Sequence, residues 1–429
     1  MDKLRAGLHR LQYTQGEPHP GTGPHATSWN AHATAVEPAL RTARSPNRKL
    51  VQVRERSLLE RGTGRSLIKR IDKAGGFRRI CLSYIGTATL LKIGPILLDL
   101  PVVQAAMSGY SDWPMRAIAR KLGAPYTICE VMIDSFVSSL KDRAKTRHYL
   151  LVTDSDHPVG AQLMGSEPDE FPAAAKKLVE AGFDVIDINF GCPAKKASGR
   201  CRGGYHLGQP EVAIEIMRRV RDAVAPETPV TVKMRRGLDE TQQSRDNFFR
   251  IAESAFNLGV AAVTVHGRTV EQKYVGPSRW AFLKEVRRHF PNRTILGSGD
   301  LFTAADCVRM LRETGVDGVT AARGSIGNPW IFSQAAALLC GEPLPQPPTV
   351  YEQREVICEH FRLAEHVLPP DQVSKQLRKF GIHYSAWHPA ADAVRGAFIA
   401  VRNAEDWHQV VARHYAVEQP GQYPADICH

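Results

Sequence analysis

From Leu91 onward, short apolar runs alternate with longer stretches whose apolar positions recur at helical spacing. Eight runs read as buried strands: Val102 to Met107, Tyr126 to Glu130, Val159 to Leu163, Val185 to Asn189, Val230 to Lys233, Ala262 to His266, Thr294 to Ser298 and Gly318 to Ala321. Helical patterns fall between them over Pro114 to Leu122, Pro168 to Ala181, Glu211 to Val224, Asp246 to Leu258 and Ala304 to Arg312. Ser166-Glu167-Pro168-Asp169 has capping-box spacing, with the proline early in the first turn, where its missing N–H costs nothing. Ahead of the first strand, Ile93-Gly94-Pro95-Ile96-Leu97-Leu98 predicts a small hairpin. Eight strands with a crossover after most of them, in roughly 230 residues, predict an α/β fold, the (β/α)8 TIM barrel. A doubly wound sheet is the alternative; its Gly-x-Gly-x-x-Gly would follow the first strand, where this chain has Ala105-Ala106-Met107-Ser108-Gly109.

The alternation stops after Trp330. Val350 to Val367, Asp371 to Tyr384 and Ala390 to Val401 read as helices only, beyond the proline-rich linker Pro343 to Pro348. Residues 1–88 carry little periodic apolar pattern and read as a basic, largely disordered extension, with one short helix expected over Leu58 to Ile71. The expected organisation is thus extension 1–88, barrel 89–340, small all-helical domain 341–417 and a frayed tail 418–429.

Charge changes this picture less than its sum suggests. The net charge is +12, but residues 1–80 hold 16 Lys and Arg against 6 Asp and Glu, and the remainder holds 40 against 38. The body is nearly neutral, so an RNA partner has to be argued from local clusters. No apolar run approaches the ~18 residues of a membrane span, and no signal-peptide pattern opens the chain. Eight cysteines without a C-x-x-C pair suit reduced cytoplasmic thiols better than a disulfide frame or a metal site. A cytoplasmic monomer without metal is expected.

Candidate chemistry gathers where the expected strands end. Asp187-Ile188-Asn189-Phe190-Gly191-Cys192-Pro193 carries a thiol onto a sharp turn just past a buried strand, at the barrel end where chemistry is done. Gln162 ends the third strand, Asn189 the fourth, Lys233 and Arg235 the fifth and His266 the sixth. Gly297-Ser298-Gly299-Asp300 and Ala322-Arg323-Gly324 follow the last two strands, where barrels commonly hold a phosphate on backbone N–H groups. Arg323 adds a bidentate grip. Lys233 suits a flavin, since a cation near N1 stabilises the reduced anionic ring.

These residues resemble the tRNA-dihydrouridine synthases, most closely the bacterial B-type branch. The resemblance runs from about residue 91 to 415. It rests on Ala105 to Asp112, Gly160-Ala161-Gln162-Leu163-Met164-Gly165, Asp187 to Lys196, Val230 to Arg235, Val265-His266-Gly267-Arg268-Thr269, Gly299-Asp300 and Gly327-Asn328-Pro329-Trp330. The Asn-x-Gly-Cys-Pro run with Gly203 about a dozen residues on is its most specific part. The resemblance implies an FMN enzyme that reduces the C5–C6 bond of specific uridines in tRNA, with NADPH as reductant. By position it makes Cys192 the acid that protonates C5. Gln162, Lys233 and His266 would hold the flavin ring, with Ala106, Met107 and Ser108 lining it. Ser298, Gly299, Asp300, Ala322 and Arg323 would hold the phosphate, and Asn189 and Arg235 would face the substrate. Ala106, Ser298 and Ala322 replace the Pro, Asn and Gly of the family pattern with other small residues, so contacts through backbone N–H groups survive.

For RNA, Lys375, Arg378, Lys379 and His383 share one helix face by spacing, and so do Arg395 and Arg402. Tyr384 and Trp387 read either as stacking platforms or as buried aromatics. Two other functions fit the same residues: an FMN oxidoreductase of free pyrimidines or small enones, and an RNA-binding protein without catalysis.

Overall fold

The computed structural model describes residues 67–71, 77–81, 90–141, 146–193 and 202–425. The expected disordered extension up to residue 66 and the Ala194-Lys195-Lys196 end of the cysteine run lie outside these residues. The pair β1 (Leu67–Ile71) and β2 (Phe77–Cys81) is antiparallel, with Leu67 opposite Cys81. The helix expected over Leu58 to Ile71 is therefore not formed in its last five residues. Backbone bonds across a connection containing Gly75 and Gly76 take the place of intrahelical ones.

A hairpin of β3 (Leu91–Ile93) and β4 (Ile96–Leu98) turns at Gly94, whose φ of +59° suits glycine. Then come β5 (Val102–Gln104), β6 (Thr127–Ile133), β7 (Val159–Met164), β8 (Val185–Phe190), β9 (Val230–Arg235), β10 (Ala262–His266), β11 (Ile295–Ser298) and β12 (Gly318–Ala321). All eight are parallel, each pairs with its neighbour in sequence, and β12 returns to β5 to close a barrel. The (β/α)8 fold is the one the alternation predicts. The crossovers are α1 (Trp113–Lys121), α2 (Asp134–Ser139), α3 (Phe171–Glu180), α4 (Pro210–Ala223), α5 (Gln242–Asn257), α6 (Trp280–His289), α7 (Ala304–Thr314) and α8 (Ile331–Leu339). Beyond them α9 (Val350–Glu365), α10 (Pro370–Tyr384), α11 (Ala391–Ala400) and α12 (Ala404–His414) make the helical region.

Local chemistry sets the helix starts. Thr303 with Asp306, Thr349 with Glu352 and Asn403 with Asp406 close reciprocal capping boxes at α7, α9 and α12. The box expected at Ser166 does not form: Pro168–Glu170 make a 3₁₀ turn, α3 begins at Phe171, and the Ser166 hydroxyl accepts from Arg202 Nε at 3.1 Å.

Leu91, Ile93 and Leu98 of the hairpin are buried with Val103, Tyr126, Val185, Ala262 and Leu296, residues at the beginnings of the strands. The hairpin therefore plugs the amino end of the barrel. The helical region covers part of the opposite end. Its core of Phe361, Phe380, Phe398 and Trp407 takes in Met115 of α1, and Met107, Tyr110, Ile326 and Trp330 from the loops after β5 and β12 pack against it. Each large side chain buried there contributes roughly 1.5–3 kcal/mol. The segment after α12 is not a frayed tail as far as it is described. Gln419 O accepts from Val350 N at 3.0 Å, Gln422 N donates to Trp387 O at 2.9 Å, and Tyr423 Oη donates to Pro345 O.

At Gly327 the barrel packs tightly against the helices. The φ of this glycine is +64°, and a Cβ there would lie 2.4 Å from His383 Cβ. Gly327→Ala should therefore cost about 2–4 kcal/mol, the left-handed backbone and the overlap adding. Gly259, at φ +81° with nothing within 4 Å of its would-be Cβ, should lose only the backbone part, about 1–2 kcal/mol, as alanine. Urea midpoints of the two variants, measured side by side, check the difference.

Candidate active site

The cysteine turn is held from every side. Phe190 ends β8 fully buried, and the chain then reverses through Gly191, Cys192 and Pro193. Asn189 Oδ1 accepts from the backbone N–H of both Gly191 and Cys192, each at 2.9 Å. Gly204 N donates to Cys192 O at 3.0 Å, and Arg235 Nε to Gly191 O at 2.8 Å. A Cβ on Gly203 (φ +54°) would stand 3.0 Å from Cys192 Cβ, and one on Gly204 would stand 2.6 Å from Val270 Cγ2. Glycines at 203 and 204 let the returning chain pass directly behind the cysteine, which gives the second half of the motif its physical reason. Cys192 itself is half-buried.

Strand register brings the other polar groups alongside. Gln162 is level with Asp187, Asn189 with Lys233, Arg235 with His266, and His266 with Ser298. Asn189 Nδ2 donates to Gln162 Oε1 at 2.6 Å. Lys233 Nζ reaches within 3.8 Å of where a Cβ on Gly191 would sit. Among the described residues this ammonium has no hydrogen-bond or ion-pair partner. Burial first, and Arg235 second, pull its pKa down to about 8. His266 is held well below its ordinary pKa by burial and by Lys233, Arg235, Arg268 and Arg323, so its imidazole is neutral at pH 7.

The turns after β11 and β12 complete the mouth. Gly299 has φ +108°, and a Cβ there would lie 2.4 Å from Ser278 Oγ and 2.7 Å from His266 Cδ2. Asp300, itself at φ +57°, accepts from Ser278 N at 2.7 Å and from Arg268 Nη2 at 2.9 Å. Arg323 Nη2 stands 3.8 Å from the same carboxylate. The backbone N–H groups of Gly299, Asp300, Arg323 and Gly324 donate to no acceptor among the described residues. Ala106, Met107 and Ser108 form the turn after β5, where Met107 N donates to Ser111 Oγ at 2.8 Å. Among the described residues this end of the barrel is rich in donors, poor in acceptors and has a surplus of cations. It fits a phosphate-bearing ring that turns anionic on reduction, as FMN does.

Some expected site residues have other work. Arg235 is 1% exposed and spends its guanidinium on the carbonyls of Gly191, Thr269 (2.8 Å) and Lys273 (2.6 Å), so it braces the cysteine turn rather than facing a substrate. Lys379 donates to Gly109 O and lies 4.6 Å over the Tyr110 ring, docked on the barrel rather than offered to RNA. Lys375 is exposed and ion-paired with Asp371 at 3.5 Å, and Arg378 Nη1 lies 3.5 Å from Val401 O. Tyr384 and Trp387 are core residues, 2% exposed each, so they are not stacking platforms. Sequence reasoning did not assign Arg268, Ser278 or Tyr274. Tyr274 is 58% exposed between the guanidinium groups of Arg235 (5.4 Å) and Arg323 (5.2 Å). The signal for Arg268 was a second cation two residues past His266 at a strand end.

An unpaired ammonium has a price in the ligand-free protein. With its pKa lowered from 10.5 to about 8, Lys233 binds its proton less well folded than unfolded. Its cost is fully present below pH 8 and is relieved as pH rises from about 8 to 10.5. Lys233→Met should therefore melt higher than wild type at pH 7 without flavin, by about 2–4 °C or more. The gap should narrow towards pH 10, and the variant should retain less flavin. Melting curves of flavin-free protein across that range, with flavin absorbance of the loaded protein, check this.

The model of the family described as Dihydrouridine synthase (Dus) matches residues 103–419. A probable tRNA-dihydrouridine synthase of Mycobacterium tuberculosis is 33% identical over 323 residues, covering 74% of this chain and 82% of the relative. The tRNA-dihydrouridine synthase B of Xanthomonas axonopodis is 32% identical over 300 residues, covering 70% and 88%. A probable tRNA-dihydrouridine synthase of Rickettsia prowazekii is 35% identical over 272 residues, covering 63% and 81%. With its matched segment spanning the closed barrel, the cysteine turn and the helical region, the chain belongs to the dihydrouridine synthase family.

Proposed function

We propose that this protein is an FMN-dependent tRNA-dihydrouridine synthase that reduces the C5–C6 bond of uridines in tRNA, with NADPH as the source of electrons. The reading is carried by one juxtaposition: half-buried Cys192, on a backbone clamped by Asn189, beside a Lys233 ammonium that has no hydrogen-bond or ion-pair partner among the described residues. When bound, FMN supplies the hydride that adds to C6 of the uracil, and NADPH restores it. Addition at C6 leaves negative charge delocalised over C5 and the C4 carbonyl, which a proton donor at C5 resolves. Cys192 Sγ gives that proton, and solvent at the mouth returns one to the sulfur. Lys233 lends positive charge to the site through the reaction. His266, kept neutral by its cationic neighbours, orients by hydrogen bonding and does not compete as an acid. The N–H groups of Gly299, Asp300, Arg323 and Gly324, which have no acceptor among the described residues, would take the cofactor phosphate with the Arg323 guanidinium.

The uridine must leave its stack to reach a barrel mouth. Arg395 and Arg402, exposed on and just past α11, with Arg378 nearby, supply phosphate contacts that position RNA without reading its sequence. A tRNA substrate argues for a cytoplasmic enzyme. No helix among the described residues is long and apolar enough to cross a membrane.

Cys192→Ala should keep its flavin and its reduction by NADPH, while oxidation of the reduced flavin by tRNA slows about 10²–10⁴-fold. Stopped-flow measurement of the two half-reactions checks this. Mass spectrometry of tRNA from cells lacking the gene, complemented with wild type or the variant, maps the uridine. Equal slowing of both half-reactions would remove Cys192 from the proton-donor role.

A further inference from the structure

Asp187 lies inside the barrel, 2% exposed and two residues before Asn189. Strand register puts it between Gln162 of β7 and Thr231 of β9. Thr231 Oγ1 donates to Asp187 Oδ1 at 2.5 Å, and Gln162 Nε2 to Asp187 Oδ2 at 2.5 Å. Gln162 Oε1 is then the atom left to accept from Asn189 Nδ2 at 2.6 Å. Asn189 Oδ1 is in turn the atom left for the N–H groups of Gly191 and Cys192. Gln162 and Asn189 are 0% and 8% exposed, so water cannot correct a wrongly turned amide.

An amide presents an acceptor on one side and a donor on the other, and nothing in its shape decides which way it faces. Burial raises the pKa of Asp187, while the hydrogen bonds from Thr231 and Gln162 and the nearby Lys233 charge favour its carboxylate form, which only accepts. If Gln162 were turned over, its Oε1 would meet Asp187 Oδ2, acceptor against acceptor. If Asn189 were turned over, its NH₂ would meet two backbone N–H donors and the cysteine turn would lose its clamp. The bond directions are therefore fixed from both ends, by the acceptor-only carboxylate of Asp187 at one and by the N–H groups of Gly191 and Cys192 at the other. We infer that Asp187 is a positioning residue for the proton-transfer step: through Gln162 and Asn189 it fixes the backbone that aims Cys192, without touching substrate or cofactor. The inference rests on the reading of Cys192 as proton donor and adds to it a residue three links away.

The test exchanges the two ends of the relay. In Asp187→Asn the Thr231 hydroxyl can turn to accept from the new NH₂, while Oδ1 still takes the Gln162 N–H, so the loss should stay under about tenfold. In Asn189→Asp the donor to Gln162 is gone, and either amide orientation sets one buried acceptor against another. Oxidation of reduced flavin by tRNA should then fall roughly ten- to hundredfold. In the double variant the series runs backwards and is satisfied throughout. Asn at 187 donates to Gln162, Gln162 donates to Asp at 189, and that carboxylate still accepts from Gly191 and Cys192.

The double variant should recover at least about tenfold over Asn189→Asp. The rate of Cys192 alkylation by iodoacetamide, resolved from the other cysteines by peptide mass spectrometry, should shift in Asn189→Asp and return towards wild type in the double. Losses that simply multiply, or an alkylation rate in the double no nearer wild type than in Asn189→Asp, would overturn the relay. Should Asn189→Asp not fold, recovery of cooperative melting in the double is the supporting result, and a double that also fails to fold overturns it. A wild type whose Cys192 alkylates normally but whose reduced flavin is not oxidised by tRNA would sink the functional reading instead. The alkylation rates would then judge the relay alone.

Discussion

Everything at the mouth of this barrel depends on the register in which β8, β9 and β10 are hydrogen-bonded. Asn189 is level with Lys233, Lys233 with Thr264, and Arg235 with His266. Side chains alternate faces along a strand, so a slip of one residue in β9 would exchange Lys233 for a buried neighbour of opposite facing. Apolar residues alternate with polar ones along β9, which makes such a slip costly because Val232 and Met234 would lose their places in the outer core. A hydrophobic constraint far larger than any polar contact therefore sets the positions of the polar ones. The hydrogen bonds among Asp187, Gln162 and Asn189 refine a geometry that strand pairing has already fixed to within one residue.

How much of this can be read in the chain follows from where each signal comes from. The eight strands, their order and the cluster of polar residues at their ends are legible because periodicity and strand-end position are local properties of sequence. The role of Arg235 is not. Its position at a strand end is local, but the carbonyls of Gly191, Thr269 and Lys273 that claim its guanidinium belong to other segments. Lys379 is a similar case. Spacing puts it on one face with Lys375, yet that face turns towards Gly109 and Tyr110 of the barrel, and helical periodicity cannot say which face a domain presents to its neighbour. The segment over Leu67–Ile71 failed for a third reason. A short run of mixed Leu, Ile and basic residues suits helix and strand alike, and only its partner Phe77–Cys81 decides.

The electrostatics of the site follow from an imbalance rather than from any single pair. Lys233, Arg235, Arg268 and Arg323 converge on His266, while Asp300 answers two of them and Asp187 sits deeper inside. In water such crowding would be screened, but here the groups are largely withdrawn from it. Burial first, and this crowding of cations second, strips His266 of its proton and pulls the pKa of Lys233 down. Both departures have the same cause, and both are what a site built for an anion looks like before the anion is considered.

The hairpin formed by β3 and β4 has a kinetic meaning. It seals the amino end of the barrel with Leu91, Ile93 and Leu98, and the helical region stands over part of the other end. Among the described residues the uncovered part of the carboxyl end is left as an entrance, which a nicotinamide donor and a folded RNA would share. Sharing one entrance, the reductant would deliver its electrons before the RNA arrives, and the protein would keep them in the interval. Turnover is thereby divided into two visits, and the bound ring is where the first visitor leaves what the second collects.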